Sequence, residues 1–408
     1  MPRASARRVV GGFRAAALSA VLGLVVAACA STTVGGRPDA VRAVSGAARV
    51  HARESSRSEP RPAAPDPIWA RIHKMTLLNK VRQLIVASFS GTQAPVALIH
   101  RIHPGGLIYF GDNLTSQAQA RTLSNQIQAA TRGVTYPMLV MTDQEGGPVV
   151  RIPGTQGTPG GIEFHGDASA AKTTALNTGR LMSRLHINTN LAPVSDVNTA
   201  GPGGVIGDRS FGSNPHVVSS LVDAQICGYH AGGVATTAKH FPGHGSTDTD
   251  SHLQTAVIKE SVPTWTRTDL PPFQWAVRHH VDMILVGHLA FPAMDPSGRP
   301  ATISPILNRR LLRDRLGYQG VVITDALNMG GITSWGTPGE IAVKAIQAGD
   351  DMLLMSPQPV AAIQAVVSAV EHGQINSSRL DTSVYRVLKL KQTLGLLRAK
   401  KALSQCSS

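Results

Sequence analysis

Cysteine is scarce: Cys29, Cys227 and Cys406 are the only three in 408 residues. No two of them have the spacing of a metal knuckle, and so few cannot form a disulfide framework. Cys227 falls in a helical pattern over 221–230 and reads as a small buried side chain. Aromatic residues make up only 4% of the chain and are not interleaved with basic ones. Acidic residues are also few, 25 against 39 Lys and Arg, for a net charge of +14. Nucleic-acid binding needs a clustered basic footprint, and none is visible, so that partner is excluded. Long hydrophobic runs are missing as well. The most apolar stretch, 15–28, is too short and too rich in small residues to be a membrane span.

That stretch follows Arg3, Arg7, Arg8 and Arg14 and ends in Val26-Ala27-Ala28-Cys29. A positive segment, an apolar segment and a small-residue cleavage site make an export signal. The last four residues resemble a bacterial lipobox, which implies a signal peptide over 1–28 and lipidation of Cys29. The other reading is a plain secretory peptide cut near Ala28. Lipid on Cys29 would anchor the protein to the outer face of the plasma membrane without threading it. Residues 30–67 are rich in Ala, Pro, Ser and Arg and nearly free of large apolar side chains, so 29–67 reads as a flexible tether. Residues 1–67 carry ten arginines against four acids, or +6, and the other +8 is dispersed. This charge reads as affinity for an anionic surface, lipid headgroups or cell wall.

From residue 68 apolar runs alternate with amphipathic segments. The expected strands are 84–89, 107–110, 138–141, 188–194, 234–239, 283–286, 321–324 and 352–355. Helical patterns cover 117–131, 168–185, 217–230, 273–280, 307–316 and 341–348, with a closing pair at 360–372 and 378–397. Eight strand-then-helix units imply an α/β fold, a single (β/α)8 barrel over 68–400 with a tail at 401–408. A doubly wound open sheet is the alternative. Polar residues favour the barrel because they gather just past strand ends: Asp112 and Asn113, then Asp143, Gln144 and Glu145, then Asp196 and Arg209, then Lys239 and His240, then His288, then Asp325. Barrel active sites are built there.

The densest chemistry is Lys239-His240-Phe241-Pro242-Gly243-His244-Gly245, followed closely by Asp250-Ser251-His252. Five of its groups, His240, His244, Asp248, Asp250 and His252, could in principle ligate a divalent metal. Pro242 and Gly243 interrupt metal-type spacing, however, and no helical His-x-x-x-His pair is present, so no metal is expected. Further blocks are Thr142-Asp143-Gln144-Glu145-Gly146-Gly147, Ile206-Gly207-Asp208-Arg209-Ser210-Phe211 and Thr324-Asp325-Ala326-Leu327-Asn328-Met329.

Together these blocks resemble family 3 glycoside hydrolases, in the β-N-acetylglucosaminidase (β-hexosaminidase) branch. The resemblance implies retaining removal of terminal, non-reducing N-acetylglucosamine, without a cofactor. It assigns Asp325 as nucleophile and His252 as general acid/base held by Asp250, with Asp143, Arg151, Arg209, Lys239 and His240 on the sugar. It also implies that the donor comes from the barrel's own loop. The chemistry fits, since retention needs a carboxylate on one face of the sugar and a proton donor on the other. A histidine can donate and then accept that proton near neutrality. With the export signal, the expected substrates are N-acetylglucosamine-containing cell-wall saccharides, N-acetylglucosamine β-1,4-linked to N-acetylmuramic acid. A phosphorylase yielding sugar 1-phosphate and a non-catalytic muropeptide-binding lipoprotein are the alternatives. Pro148 and Ser246 depart from the family pattern, at the rim near Arg151 and in the loop carrying His252.

Overall fold

The computed structural model describes residues 66–397 and 403. The export segment, Cys29, the tether up to residue 65 and all of the tail except Leu403 lie outside the described residues. Among the described residues there are ten strands: β1 (Ile85–Ala87), β2 (Gly106–Tyr109), β3 (Leu139–Thr142), β4 (Thr189–Asn190), β5 (Thr237–Phe241), β6 (Ala256–Val257), β7 (Met283–Val286), β8 (Leu289–Ala290), β9 (Val321–Thr324) and β10 (Leu353–Leu354). Five of them pair in the order β10-β1-β2-β3-β4 and three in the order β5-β7-β9, every pair parallel. Parallel bridges Thr189–Ala235 and Val194–Lys239 join β4 to β5, and Ile323–Met352 joins β9 to β10. The ring of eight therefore closes, and the architecture is the barrel rather than the open sheet. The short pair β6 and β8 lies outside the ring.

The ring strands are buried along their whole length, which is why they appear in the sequence as unbroken apolar runs without alternation. Helices Gln117–Ala130, Ala168–Arg184, Pro215–Ala231, Leu270–Arg278, Pro338–Ala348 and Pro359–Glu371 intervene between them. Four of these six starts are capped by a side chain. Ser116, Asp167, Asn214 and Thr337 accept from backbone N–H groups of their own first turns, and Glu340 completes a capping box with Thr337. The last helix, Ser377–Thr393, packs on the first, Pro67–Ile72. Trp69 stacks on Tyr385 at 4.9 Å, and the Tyr385 hydroxyl donates to Asp66 at 2.7 Å.

Four details differ from the sequence reading. The fourth strand is only Thr189–Asn190, although isolated bonds continue beyond it: Leu191 N donates to Thr142 O at 2.9 Å, and Pro193, with no N–H of its own, accepts from Lys239 N at 3.2 Å. A helix at Val262–Thr268 has no counterpart in the sequence reading. Pro263 sits in its first turn, where a missing N–H costs nothing, and Ser261 caps it. Ile306–Arg315 is wound as a π-helix, with Arg310 N bonding Pro305 O at 3.0 Å and Leu316 N bonding Leu311 O at 3.0 Å. Cys227 is buried as expected, but it is disulfide-bonded.

Candidate active site

The carboxyl ends of the strands surround a cavity of about 500 Å³. Asp143, Arg151, Arg209, Lys239, His240, His252 and Asp325 all line it. Asp250 stands behind His252 instead of on the wall. Phe110, Ile206, Met329 and Met355 supply apolar surface between the polar groups.

Asp143 and Glu145 follow β3 on a turn that only glycine permits. Gly146 has φ +89°, and a Cβ there would lie 2.3 Å from the Pro159 carbonyl oxygen. Buried Gln144 folds the loop back, its Oε1 accepting from Arg151 N at 2.9 Å and Ile152 N at 3.0 Å. That return brings Arg151 to the cavity, its guanidinium 5.8 Å from the Phe110 ring centroid. Pro148 is exposed at the tip of this turn.

Four charges alternate across the floor. Lys239, 2% exposed, donates to Asp143 Oδ1 at 2.6 Å and to Glu145 Oε1 at 2.7 Å. Arg209 grips Glu145 with two bonds, Nε to Oε2 at 2.9 Å and Nη2 to Oε1 at 2.8 Å. Burial works to raise the Glu145 pKa, but Lys239 and Arg209 outweigh it and hold the carboxyl down to about 2. Glu145 was not among the expected site residues. Its proximity to Asp143 was visible, but its two cationic partners were not.

Asp196 is the second group that the sequence reading left without a role. It is fully buried and accepts from His240 Nδ1 at 2.7 Å, His240 N at 3.1 Å and His244 N at 2.7 Å. A carboxylate on Nδ1 fixes the His240 tautomer and leaves the other ring nitrogen for a ligand. His244 bonds Ser251 Oγ at 3.0 Å and packs the loop. Ser246 is half-buried, its hydroxyl without a partner among the described residues.

Asp325 emerges directly from β9. Its N–H donates to Val286 O at 2.9 Å, and its Oδ1 accepts from Ala326 N at 2.8 Å, which leaves the other oxygen unengaged among the described residues. Burial pushes its pKa up, but His240 and His288, the Ala326 N–H and Lys239 pull harder, so the carboxyl titrates below its ordinary value. His288 is itself locked, to Thr302 Oγ1 at 2.8 Å and the Ala326 carbonyl at 3.0 Å. It braces the turn of Asp325 and does not line the cavity.

His252 sits on the loop after β5, its side chain 67% exposed. Asp250 accepts from its Nδ1 at 2.8 Å and its backbone N–H at 2.9 Å. The loop is seated on the segment that follows Asp325: Gly330 N donates to His252 O at 2.7 Å and Gly331 N to Ser251 O at 3.0 Å. A short chain segment thus sets an imidazole and a carboxylate on one cavity. Among the described residues no three His, Cys, Asp or Glu side chains converge as metal ligands.

The model of the glycosyl hydrolase family 3 N-terminal domain matches residues 76–390. The chain belongs to glycosyl hydrolase family 3. Within that family it falls in the β-N-acetylglucosaminidase (β-hexosaminidase) branch. It is 35% identical over 330 residues to β-hexosaminidase A of Pseudoalteromonas piscicida, covering 73% of this chain and 54% of that one. It is 30% identical over 323 residues to a β-hexosaminidase of Nitrosomonas eutropha, covering 75% and 91%. Its fold matches that of a family 3 β-N-acetylglucosaminidase from Paenibacillus sp. str. FPU-7 with TM-score 0.77 and 40% identity, over 81% of this chain and 65% of that one. The chain therefore spans about half to two thirds of the length of two of these three family 3 relatives.

The charge chain predicts the behaviour of Glu145→Gln. Neutralising Glu145 leaves Lys239 and Arg209 buried with Asp143 alone, and breaking a buried pair from one side costs about 3–5 kcal/mol. Thermal melts should show the loss directly. The sign with pH follows from the depressed pKa. The Glu145 contribution is complete above its ordinary value of 4.5 and disappears as pH falls toward about 2. Wild type and variant should therefore converge in stability over that window, and a gap unchanged down to about pH 2 would contradict the pairing.

Proposed function

We propose that the chain is a retaining exo-β-N-acetylglucosaminidase whose substrates are exported cell-wall fragments carrying N-acetylglucosamine β-1,4-linked to N-acetylmuramic acid. The observation that carries this reading is that Asp325 and His252 line one cavity, with Asp250 on the far side of the imidazole. In the first half-reaction the free Asp325 oxygen attacks the anomeric carbon as the glycosidic C–O bond breaks. His252 gives its Nε2 proton to the departing oxygen, and Asp250 stabilises the ring in its cationic form. In the second, the imidazole takes a proton from water, the hydroxide oxygen bonds to the anomeric carbon, and the ester to Asp325 breaks. Two inversions restore the β-configuration.

Asp143, Lys239, Arg209, His240 and Arg151 would hold the sugar hydroxyls and the acetamido group. The Lys239–Asp143 pair and the bonds of Arg209 to Glu145 and of His240 to Asp196 keep these side chains in fixed positions before substrate arrives, which is where preorganisation reduces the barrier. The protein is exported and anchored through lipid on Cys29 in this reading, supported by the export-type segment and the residues before Cys29.

The test is turnover of an aryl β-N-acetylglucosaminide and of a muropeptide disaccharide by fractionated cells, with NMR of the first-formed anomer. Release of β-N-acetylglucosamine in the membrane fraction, shifted to the soluble fraction by Cys29→Ala, is the expected result. An α-product, or sugar 1-phosphate as the main product when phosphate is added, would sink the hydrolytic mechanism. No turnover by well-folded protein would leave a binding lipoprotein in its place.

A further inference from the structure

The dispersed positive charge converges in space at the end of the barrel remote from the cavity. Arg313 donates to the carbonyls of Tyr318 and Gly320 at 3.0 and 2.6 Å, just ahead of β9, whereas Asp325 lies just past the other end of that strand. Arg313, Arg379 and Arg386 all converge on one buried carboxylate, Asp351. They line a cleft of about 670 Å³ together with Arg309, which is exposed at its edge. Arg386 also lines the adjoining cleft, with Lys389.

The opposing acids are few and largely engaged. Asp314 is the one carboxylate exposed in the first cleft. In the second, Asp282 is held by His230 at 2.7 Å and by Thr236 N at 2.9 Å. Burial and the neighbouring Asp351 push the Asp350 carboxyl well above its ordinary pKa, which disfavours its charged form as a counter-charge. One carboxylate under three guanidinium groups is more cation than closing the barrel end requires. Arg379 and Arg386 keep 24% and 16% of their side chains accessible, so the excess faces outward.

We infer that this arginine face docks the barrel on a bilayer of anionic phospholipid, its guanidinium groups meeting headgroup phosphates. A bilayer is favoured over other anions by where the chain enters the fold. Asp66 bonds Tyr385, the neighbour of Arg386, so the upstream segment leaves beside this face. If residues 30–65 act as the tether their composition predicts, they span roughly 35 Å, which holds the face at high effective concentration near an anchored Cys29. Docked this way, the cavity opens away from the membrane. The choice of a bilayer rests on the proposed anchor, while the face itself is independent of the catalytic reading.

The experiment uses full-length Cys29→Ala protein, so that no lipid contributes, sedimented with vesicles of phosphatidylcholine alone or mixed equally with phosphatidylglycerol. Protein should favour the anionic vesicles at low salt and lose the preference near about 0.5 M salt. Arg309→Gln with Lys389→Gln leaves the three arginines on Asp351 intact and should reduce anionic-vesicle binding roughly tenfold. Arg386→Gln, with Arg313 and Arg379 still on Asp351, should do the same by an independent change. Aryl glycosidase activity serves as the folding control and should be unchanged in both. Equal binding to both vesicle types, or an undiminished preference in both variants, would overturn the inference. So would retention on anionic wall polymer without any vesicle preference.

Discussion

Replacing Asp325 with alanine should lower turnover of every β-N-acetylglucosaminide by roughly four orders of magnitude or more, the scale of loss when a covalent nucleophile is removed. Few neighbouring interactions would be disturbed, because the backbone at this position is held by Val286 O and the side chain makes one bond, to Ala326 N. The thermal melt should therefore move little while activity collapses. Azide supplies the discriminating readout. Entering the space left by the carboxylate, it should attack the anomeric carbon of an activated aryl substrate and restore release of the phenol, giving an α-glycosyl azide. A residue that merely shaped the pocket would not be rescued in this way. In the wild type, a slow fluorinated substrate should leave its glycosyl group esterified to Asp325, detectable on the peptide by mass. His240, His288 and Lys239 hold the Asp325 pKa below its ordinary value, so, as the proposed nucleophile, its titration should not set the acid limb of the rate profile. Label on another carboxylate would remove Asp325 from the mechanism.

What could be read from the chain and what could not separate along a physical line. The barrel strands were legible because both of their faces are covered, so Met283–Val286 and Val321–Thr324 stand out as apolar runs with the bounds the structure has. Asp325 and Lys239 were legible for a related reason, as polar side chains at or beside the ends of such runs. Partnerships created by ring closure were not. Arg209 meets Glu145 across 64 positions, and Asp196 meets His240 across 44, distances that no local pattern encodes. Arg313, Arg379 and Arg386 likewise look unrelated in sequence and share one carboxylate in space. The helix at Val262–Thr268 failed for another reason, since proline is tolerated in a first turn and forbidden later, and composition does not reveal which applies.

Gly330→Ala should reproduce much of the defect of His252→Ala without touching the imidazole. An added Cβ at 330 would lie 2.2 Å from the Leu253 carbonyl oxygen, so the loop must lift and lose its bond from Gly330 N to His252 O. The His252 side chain is largely in solvent and Asp250, its partner, travels on the same loop, so only the neighbouring seat of Ser251 on Gly331 N and His244 would resist the displacement. Loss of a positioned proton donor lowers turnover about 10²- to 10⁴-fold when the leaving group needs protonation. The muropeptide disaccharide expels its muramyl sugar as an alkoxide and should show that full loss in both variants. A nitrophenyl glycoside releases a stable phenolate and should lose little in the first half-reaction, because Asp325 is fixed separately through Val286 and Ala326. The two variants should therefore share one signature, a steep dependence of rate on leaving-group acidity that the wild type lacks. Equal losses on both substrates in His252→Ala would take the donor role from this residue. A flat dependence in Gly330→Ala with a steep one in His252→Ala would keep the donor but show that its loop does not need the glycine seat.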